Sequence, residues 1–149
     1  MSSPKLRRTK SNIPKVSAVQ KAIDSVPLPT PMSNQQIFDI VQKHLLSQNK
    51  KSLLTCKPEI NGIANTCAYR SEDGCKCAIG CLINDELYSP SLEGLGIETN
   101  KLKIVLYAAN IDRDKSLPLL KSLQQCHDSL DAELWPNRLN EIKKEFSLQ

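Results

Sequence analysis

Between Thr99 and Phe146 apolar residues return at every third or fourth position in three successive runs, and this periodicity constrains the fold more than any other feature of the chain. The first run carries Leu102, Val105, Leu106 and Ala109, and Thr99 or Asn100 can cap it. The second carries Leu119, Leu120, Leu123, Cys126, His127 and Leu130; Ser116 can cap it, with Pro118 tolerated in its first turn. The third repeats Leu139, Ile142 and Phe146 and opens at Asp131 or Trp135. A fourth helix is read further upstream, where Ile37, Val41 and Leu45, flanked by Ile40 and His44, line one face as far as about Gln48. Ser33 precedes it with Gln36 three residues on, the spacing of a capping box.

Amphipathic helices must cover their apolar faces, and each supplies the others with a surface to pack on. The other regular piece the sequence offers is local. Asp73-Gly74 provides the positive backbone angle of a tight reversal, which predicts a hairpin with arms near 66–70 and 75–79. Residues Ser52 to Cys56 read equally as a short strand or a turn of helix, and Asn84 to Gly96 reads as a helical turn followed by irregular chain. The fold class is therefore α+β and mainly helical, with about four to five helices packed against one small β-hairpin. With 40% hydrophobic and only 4% aromatic residues, the core is expected to be single and aliphatic.

Residues 1–32 form a different kind of sequence. Their first half is Ser, Lys, Arg, Pro and Asn, too polar to offset the entropy of ordering, so it is expected to be disordered. Val16, Val19, Ile23 and Val26 allow a short helix from Pro14 to Val26, ended by Pro27, Pro29 and Pro31, which read as a linker. The compact domain is expected over 33–149.

Charge follows the same division. The arm holds Lys5, Arg7, Arg8, Lys10, Lys15 and Lys21 against Asp24 alone, which leaves 14 of the 20 basic and 15 of the 16 acidic side chains to the domain. The domain thus has no positive excess with which to follow a phosphate backbone, and no specific nucleic-acid signal. The arm can contact an anionic surface, but six dispersed charges specify no particular one. No window approaches the roughly 18 consecutive apolar residues of a membrane-spanning helix. The beginning lacks the apolar stretch of a secretory signal, so a soluble, cytoplasmic protein with reduced thiols is expected.

Six cysteines stand at 56, 67, 75, 77, 81 and 126. Cys67, Cys75, Cys77 and Cys81 lie in one short stretch, and four thiolates converging there can hold zinc tetrahedrally, with His44, Cys56 and His127 as substitute ligands. The spacing departs from the usual paired knuckles, so small buried thiols that fill the core are the simpler reading and no cofactor is expected. A thiol enzyme is the related alternative, with Cys67 or Cys77 activated by His127 or His44. Asp128 follows His127, but successive helical residues diverge by about 100° and the carboxylate is not expected to orient the ring. Tyr69-Arg70 beside the turn can form a recognition edge, or Arg70 can pair with Glu72, Asp85 or Glu86 to fasten the turn to the helices. Neither the acid pairs Glu72-Asp73 and Asp85-Glu86 nor Gly94-Leu95-Gly96 has the context of a catalytic or phosphate-binding motif.

The contiguous block Cys67-Ala68-Tyr69-Arg70, Asp73-Gly74, Lys76 to Ile83, Asp85 to Tyr88 and Glu93-Gly94, with Leu123 to Asp128 and Trp135 downstream, resembles small uncharacterised proteins of bacteria and their phages. The resemblance covers about residues 33–149 and implies no activity. An arm added to such a domain suits a protein exported into a host cell. The combined reading leans away from an enzyme. It describes a non-catalytic interaction protein, phage-related or an exported effector, whose surface around Tyr69, Arg70, Asp73 and Asp85 engages a protein partner. The alternative is a cysteine-ligated zinc protein or a thiol enzyme using Cys67 or Cys77 with His127.

Overall fold

The computed structural model describes residues 30–54 and 66–149. The helix expected from Pro14 to Val26 and the residue Cys56 lie outside them. Four α-helices dominate the described residues: α1 (Asn34–Gln48), α2 (Asn100–Ala108), α3 (Arg113–Ser129) and α4 (Trp135–Glu145). Helices α1 and α4 both pack on α3 and on each other, while α2 joins through α3. None of the helices is long and apolar enough to cross a membrane.

The beginnings of the helices follow from their caps. Ser33 Oγ accepts from the Gln36 amide at 3.2 Å while Gln36 Oε1 accepts from the Ser33 amide at 2.9 Å, so two otherwise orphaned donors are satisfied reciprocally. Thr99 caps α2. Helix α3 starts earlier than the expected Ser116, because the Asp112 carboxylate accepts from the Lys115 amide at 3.2 Å and Asp114 sits in the first turn. Pro118 consequently falls inside the helix, where it withholds one backbone donor. Trp135 opens α4, directly after a short 3-10 turn at Ala132–Leu134.

The hairpin is where expectation and structure differ. The chain does reverse at Asp73-Gly74, with Gly74 at φ +86° and the Ser71 amide bonded to the Cys75 carbonyl at 3.0 Å. Only Arg70 and Lys76 are bridged across it. The return arm leaves because Cys77, Ala78 and Ile79 are drawn fully into the core and Gly80–Leu82 coil into a 3-10 turn. Gly80 permits this: a Cβ on it would lie 1.9 Å from the Tyr69 carbonyl oxygen, so the two backbones could not meet with any other residue there. The incoming arm pairs elsewhere, as strand β2 (Thr66–Cys67) lies antiparallel to β1 (Leu53–Leu54). Extended structure among the described residues therefore amounts to two residues on each side.

The core is mainly aliphatic, with Phe38, Tyr69 and Trp135 as its aromatic members. Ile37, Phe38, Val41 and Leu45 of α1 meet Leu119, Leu120 and Leu123 of α3, Leu139 and Ile142 of α4, and the buried Cys77–Ile79 stretch. Each fully buried Leu or Ile side chain contributes about 1.5–3 kcal/mol of transfer free energy. Trp135, the single tryptophan, is wholly buried, and its indole N–H donates to the Leu130 carbonyl at 3.1 Å.

Candidate functional site

The last turns of α3 bring Gln124, His127 and Asp128 beside the end of β2. Gln124 and Asp128 are four residues apart and share a helix face, so the Gln124 amide donates to Asp128 Oδ1 at 2.8 Å. Against the expectation that adjacent residues diverge, His127 Nδ1 also reaches Asp128 Oδ1 at 2.8 Å. Nδ1 is the ring nitrogen nearer the helix backbone, so a short carboxylate on the next residue can turn back to it while Nε2 points away. There Nε2 accepts the Ser52 amide proton at 3.0 Å. An acceptor at Nε2 leaves the proton of a neutral ring on Nδ1, where it is donated to Asp128. The imidazole is fully buried and stacks on Trp135 with ring centroids 5.4 Å apart.

Cys67 completes the group: its sulfur, a ring nitrogen of His127 and a carboxylate oxygen of Asp128 all lie within 4.8 Å of one another. Partial burial, followed by the charge and hydrogen bond of Asp128, pushes the Cys67 thiol up to about 11, with Lys51 opposing. Burial resists ionisation of Asp128, but the hydrogen bonds from His127 and Gln124 outweigh it and hold the carboxyl below its usual range. Thiol, carboxylate and imidazole thus face one another in a single group. A nucleophilic cysteine needs the imidazole next to the sulfur with a free lone pair, and here the ring has none to offer. The same three side chains each offer a ligand atom, and a metal bound there would have to displace the Ser52 amide or the Nδ1 proton and take the thiol as a thiolate.

The other cysteines are elsewhere. Cys77 is buried, its sulfur accepts the Gly80 amide at 3.2 Å, and burial pushes its thiol up to about 12. The Cys81 thiol donates to the Ala78 carbonyl at 3.0 Å and is likewise pushed up to about 12 by burial. Cys75 sits in the reversal, its thiol raised by burial first and Asp73 next. Among the described residues no second group of three potential ligands comes together, so the four cysteines of residues 67–81 do not converge. His44 is also remote from this group: its Nε2–H donates to the Lys76 carbonyl at 3.0 Å.

A cleft of about 250 Å³ opens beside Cys67 and Asp128, with Tyr69, Glu93, Gly96 and Gln124 in its wall. Glu93 does its work inside the fold. Its carboxylate accepts from the amides of Tyr69 at 3.0 Å and Arg70 at 2.9 Å and from the Tyr88 hydroxyl at 2.9 Å. Tyr69 is itself buried, and its hydroxyl donates to the Leu95 carbonyl at 2.5 Å. Arg70 lies over the Tyr88 ring, 4.6 Å from its centroid, donates to the Ile83 carbonyl at 2.8 Å and pairs with Asp85 at 2.7 Å. Of the four residues expected to meet a partner, Tyr69 and Arg70 are therefore turned inward, while Asp73 and Asp85 are exposed. Arg70, then Lys76 at 3.5 Å, holds the Asp85 carboxyl below its ordinary range. Lys50 at 2.6 Å and the Ser71 hydroxyl do the same for Asp73.

Sequence reasoning gave no role to Glu93, Gln124 or Ser52. Glu93 and Gln124 lie within the resembling block, which was the one available signal; for Ser52 there was none, because its contribution is a backbone amide. Comparison with family models, with curated proteins and with solved structures finds no match to this chain.

Proposed function

We propose that the chain is a non-catalytic interaction protein that binds a protein partner through the exposed turns at 71–74 and 84–86. Tyr69 and Arg70 hold this face from beneath. The observation that carries the reading is the closed hydrogen bonding of His127, whose two nitrogens are engaged by Ser52 and Asp128 at 3.0 and 2.8 Å beside a protonated Cys67 thiol. Such a group stiffens a fold more readily than it moves protons.

Support for the face comes from its charge and its fixation. Glu72, Asp73, Asp85 and Glu86 are all exposed, and the Asp85 side chain is 82% accessible although Arg70 and Lys76 fix its position. Exposed pairs of this kind contribute little to stability, but carboxylates held in fixed places give a basic partner an oriented target. Action in the cytoplasm, or in a host cell after export, belongs to the same proposal; export rests on the resemblance of about residues 33–149 and on the basic arm added before it. The test combines photo-crosslinking from position 85 with the double variant Glu72→Lys, Glu86→Lys. A defined protein adduct that disappears in the double variant, at unchanged melting temperature, is the expected result. Turnover in a hydrolase and transferase panel, abolished by Cys67→Ser in a folded protein, would replace this reading with a thiol enzyme. Stoichiometric zinc in protein purified without a tag would replace it with a metalloprotein.

A further inference from the structure

We infer that the outward side of α2, carrying Ile104, Tyr107 and Ala108, is the docking surface for the chain's own N-terminal segment, residues 14–26. The inference is independent of the partner face at 71–74 and 84–86. Helix α2, with the sequence NKLKIVLYA, is apolar around most of its circumference, yet only Leu102 and Leu106 within it are fully buried. Among the described elements it packs chiefly on α3. A helix of that composition is ordinarily enclosed on more than one side. Here Ile104 is 39% exposed, Ala108 is exposed one turn further on, and half-buried Tyr107 adjoins Ile104 at the i, i+3 spacing.

The described chain begins at the same end of this helix. The Asn110 side-chain amide donates to the Thr30 carbonyl at 2.7 Å, and the Asn110 carbonyl accepts the Met32 amide at 2.9 Å. Thr30 and Met32 are thereby fastened just beyond the last turn of α2, and the residues before Thr30 have to set out from there. Pro27, Leu28 and Pro29 make a short tether, which in the polyproline form, at about 3.1 Å per residue, keeps Val26 within about 12 Å of Thr30. As a helix, residues 14–26 would measure about 20 Å against about 13 Å for α2, enough to cover its whole length.

The segment has the matching chemistry. Val16, Val19, Ile23 and Val26 repeat at helical spacing, and a helix this short is marginal in water unless its apolar stripe is covered. A three-residue tether makes the encounter intramolecular, with an effective concentration in the millimolar range. Asp24 is the single acid of residues 1–32, and α2 offers Lys101 and Lys103 and no acid. The other exposed apolar side chains suit the stripe less well. Ile40 and Leu46 on α1 have Lys43 between them on the surface, with Gln36 and Gln42 on their other sides, and Leu134 sits on a 3-10 turn of three residues.

Limited trypsin digestion of the full chain, followed by mass spectrometry, tests the docking. Cleavage after Lys21 should be roughly tenfold slower than after Lys10, as for a segment held by a local contact that opens transiently. Ile104→Asp, made at an exposed position, should bring the two rates together, and so should Val19→Asp, which leaves the domain untouched and decides the matter if the first variant does not fold. Methyl NMR of the wild-type chain should show contacts from Val19 and Ile23 to Ile104, Tyr107 or Ala108. Equal cleavage after Lys10 and Lys21 in the wild type, or protection of Lys21 that persists in Val19→Asp, would overturn the inference. So would methyl contacts to Ile40 or Leu46 instead, or protection that rises with protein concentration, which would place the segment on a second copy.

Discussion

Glu93 places one carboxylate against three donors, the amides of Tyr69 and Arg70 and the hydroxyl of Tyr88. Replacing it with Gln keeps the shape but turns one acceptor oxygen into a donor, which then faces a donor in a partly buried site. Glu93→Gln should cost about 1–3 kcal/mol in urea unfolding, with no change in the far-ultraviolet spectrum. Gly80→Ala should cost more, above about 2 kcal/mol, because the added methyl would lie 1.9 Å from the Tyr69 carbonyl and backbone must move to admit it. Thiol reactivity separates by position in the same way: with a neutral disulfide reagent, of the five described cysteines Cys75 in the reversal should react first and Cys77, wholly enclosed, last. The sequence exposed part of this scale. That Cys77 fills the core and Cys81 packs partly buried against it was legible from composition and spacing, and Arg70 pairing with Asp85 was among the partners weighed. The bond between His127 and Asp128 was not legible, since helical geometry describes where Cβ atoms point and says little about how far a side chain can turn back.

At the scale of elements the helices were readable because their signals are local: an apolar face every third or fourth residue and a cap at the start. Ser33→Ala should remove the cap of α1 and lower stability by about 1 kcal/mol, measured by thermal or urea unfolding, since it breaks one half of a reciprocal pair. The start of α3 was misplaced because two residue types suitable for capping, Asp112 and Ser116, stand one turn apart, and the earlier one wins where it also brings Asp114 into the first turn. The hairpin failed as a prediction for a different reason. A turn signal at Asp73-Gly74 fixes a reversal and nothing beyond it; whether the arms pair depends on the burial of Cys77–Ile79 and on the distant partner β1, neither of which a local pattern encodes.

For the whole molecule the thiols set a boundary on the alkaline side. Burial raises Cys67 and Cys126 to about 11 and Cys77 and Cys81 to about 12 from an ordinary 9.0. A group raised on folding favours the protonated, folded state fully below pH 9.0 and loses that contribution as the pH climbs through the folded values of about 11 and 12. Stability should therefore fall from pH 9.0 upward, and Cys77→Ala with Cys81→Ala should flatten that fall while lowering stability at neutral pH. The proposed partner face obeys a different dependence: Asp73 and Asp85, both held below the ordinary carboxyl range, keep their charge in mild acid, so any association through them should survive mildly acidic conditions. The stacking of His127 on the single tryptophan has a practical result. Indole emission responds to how the ring is enclosed, and here the one indole is wholly buried against the imidazole, so the intrinsic fluorescence of the unlabelled chain is a built-in gauge of whether the packing around that pair is intact.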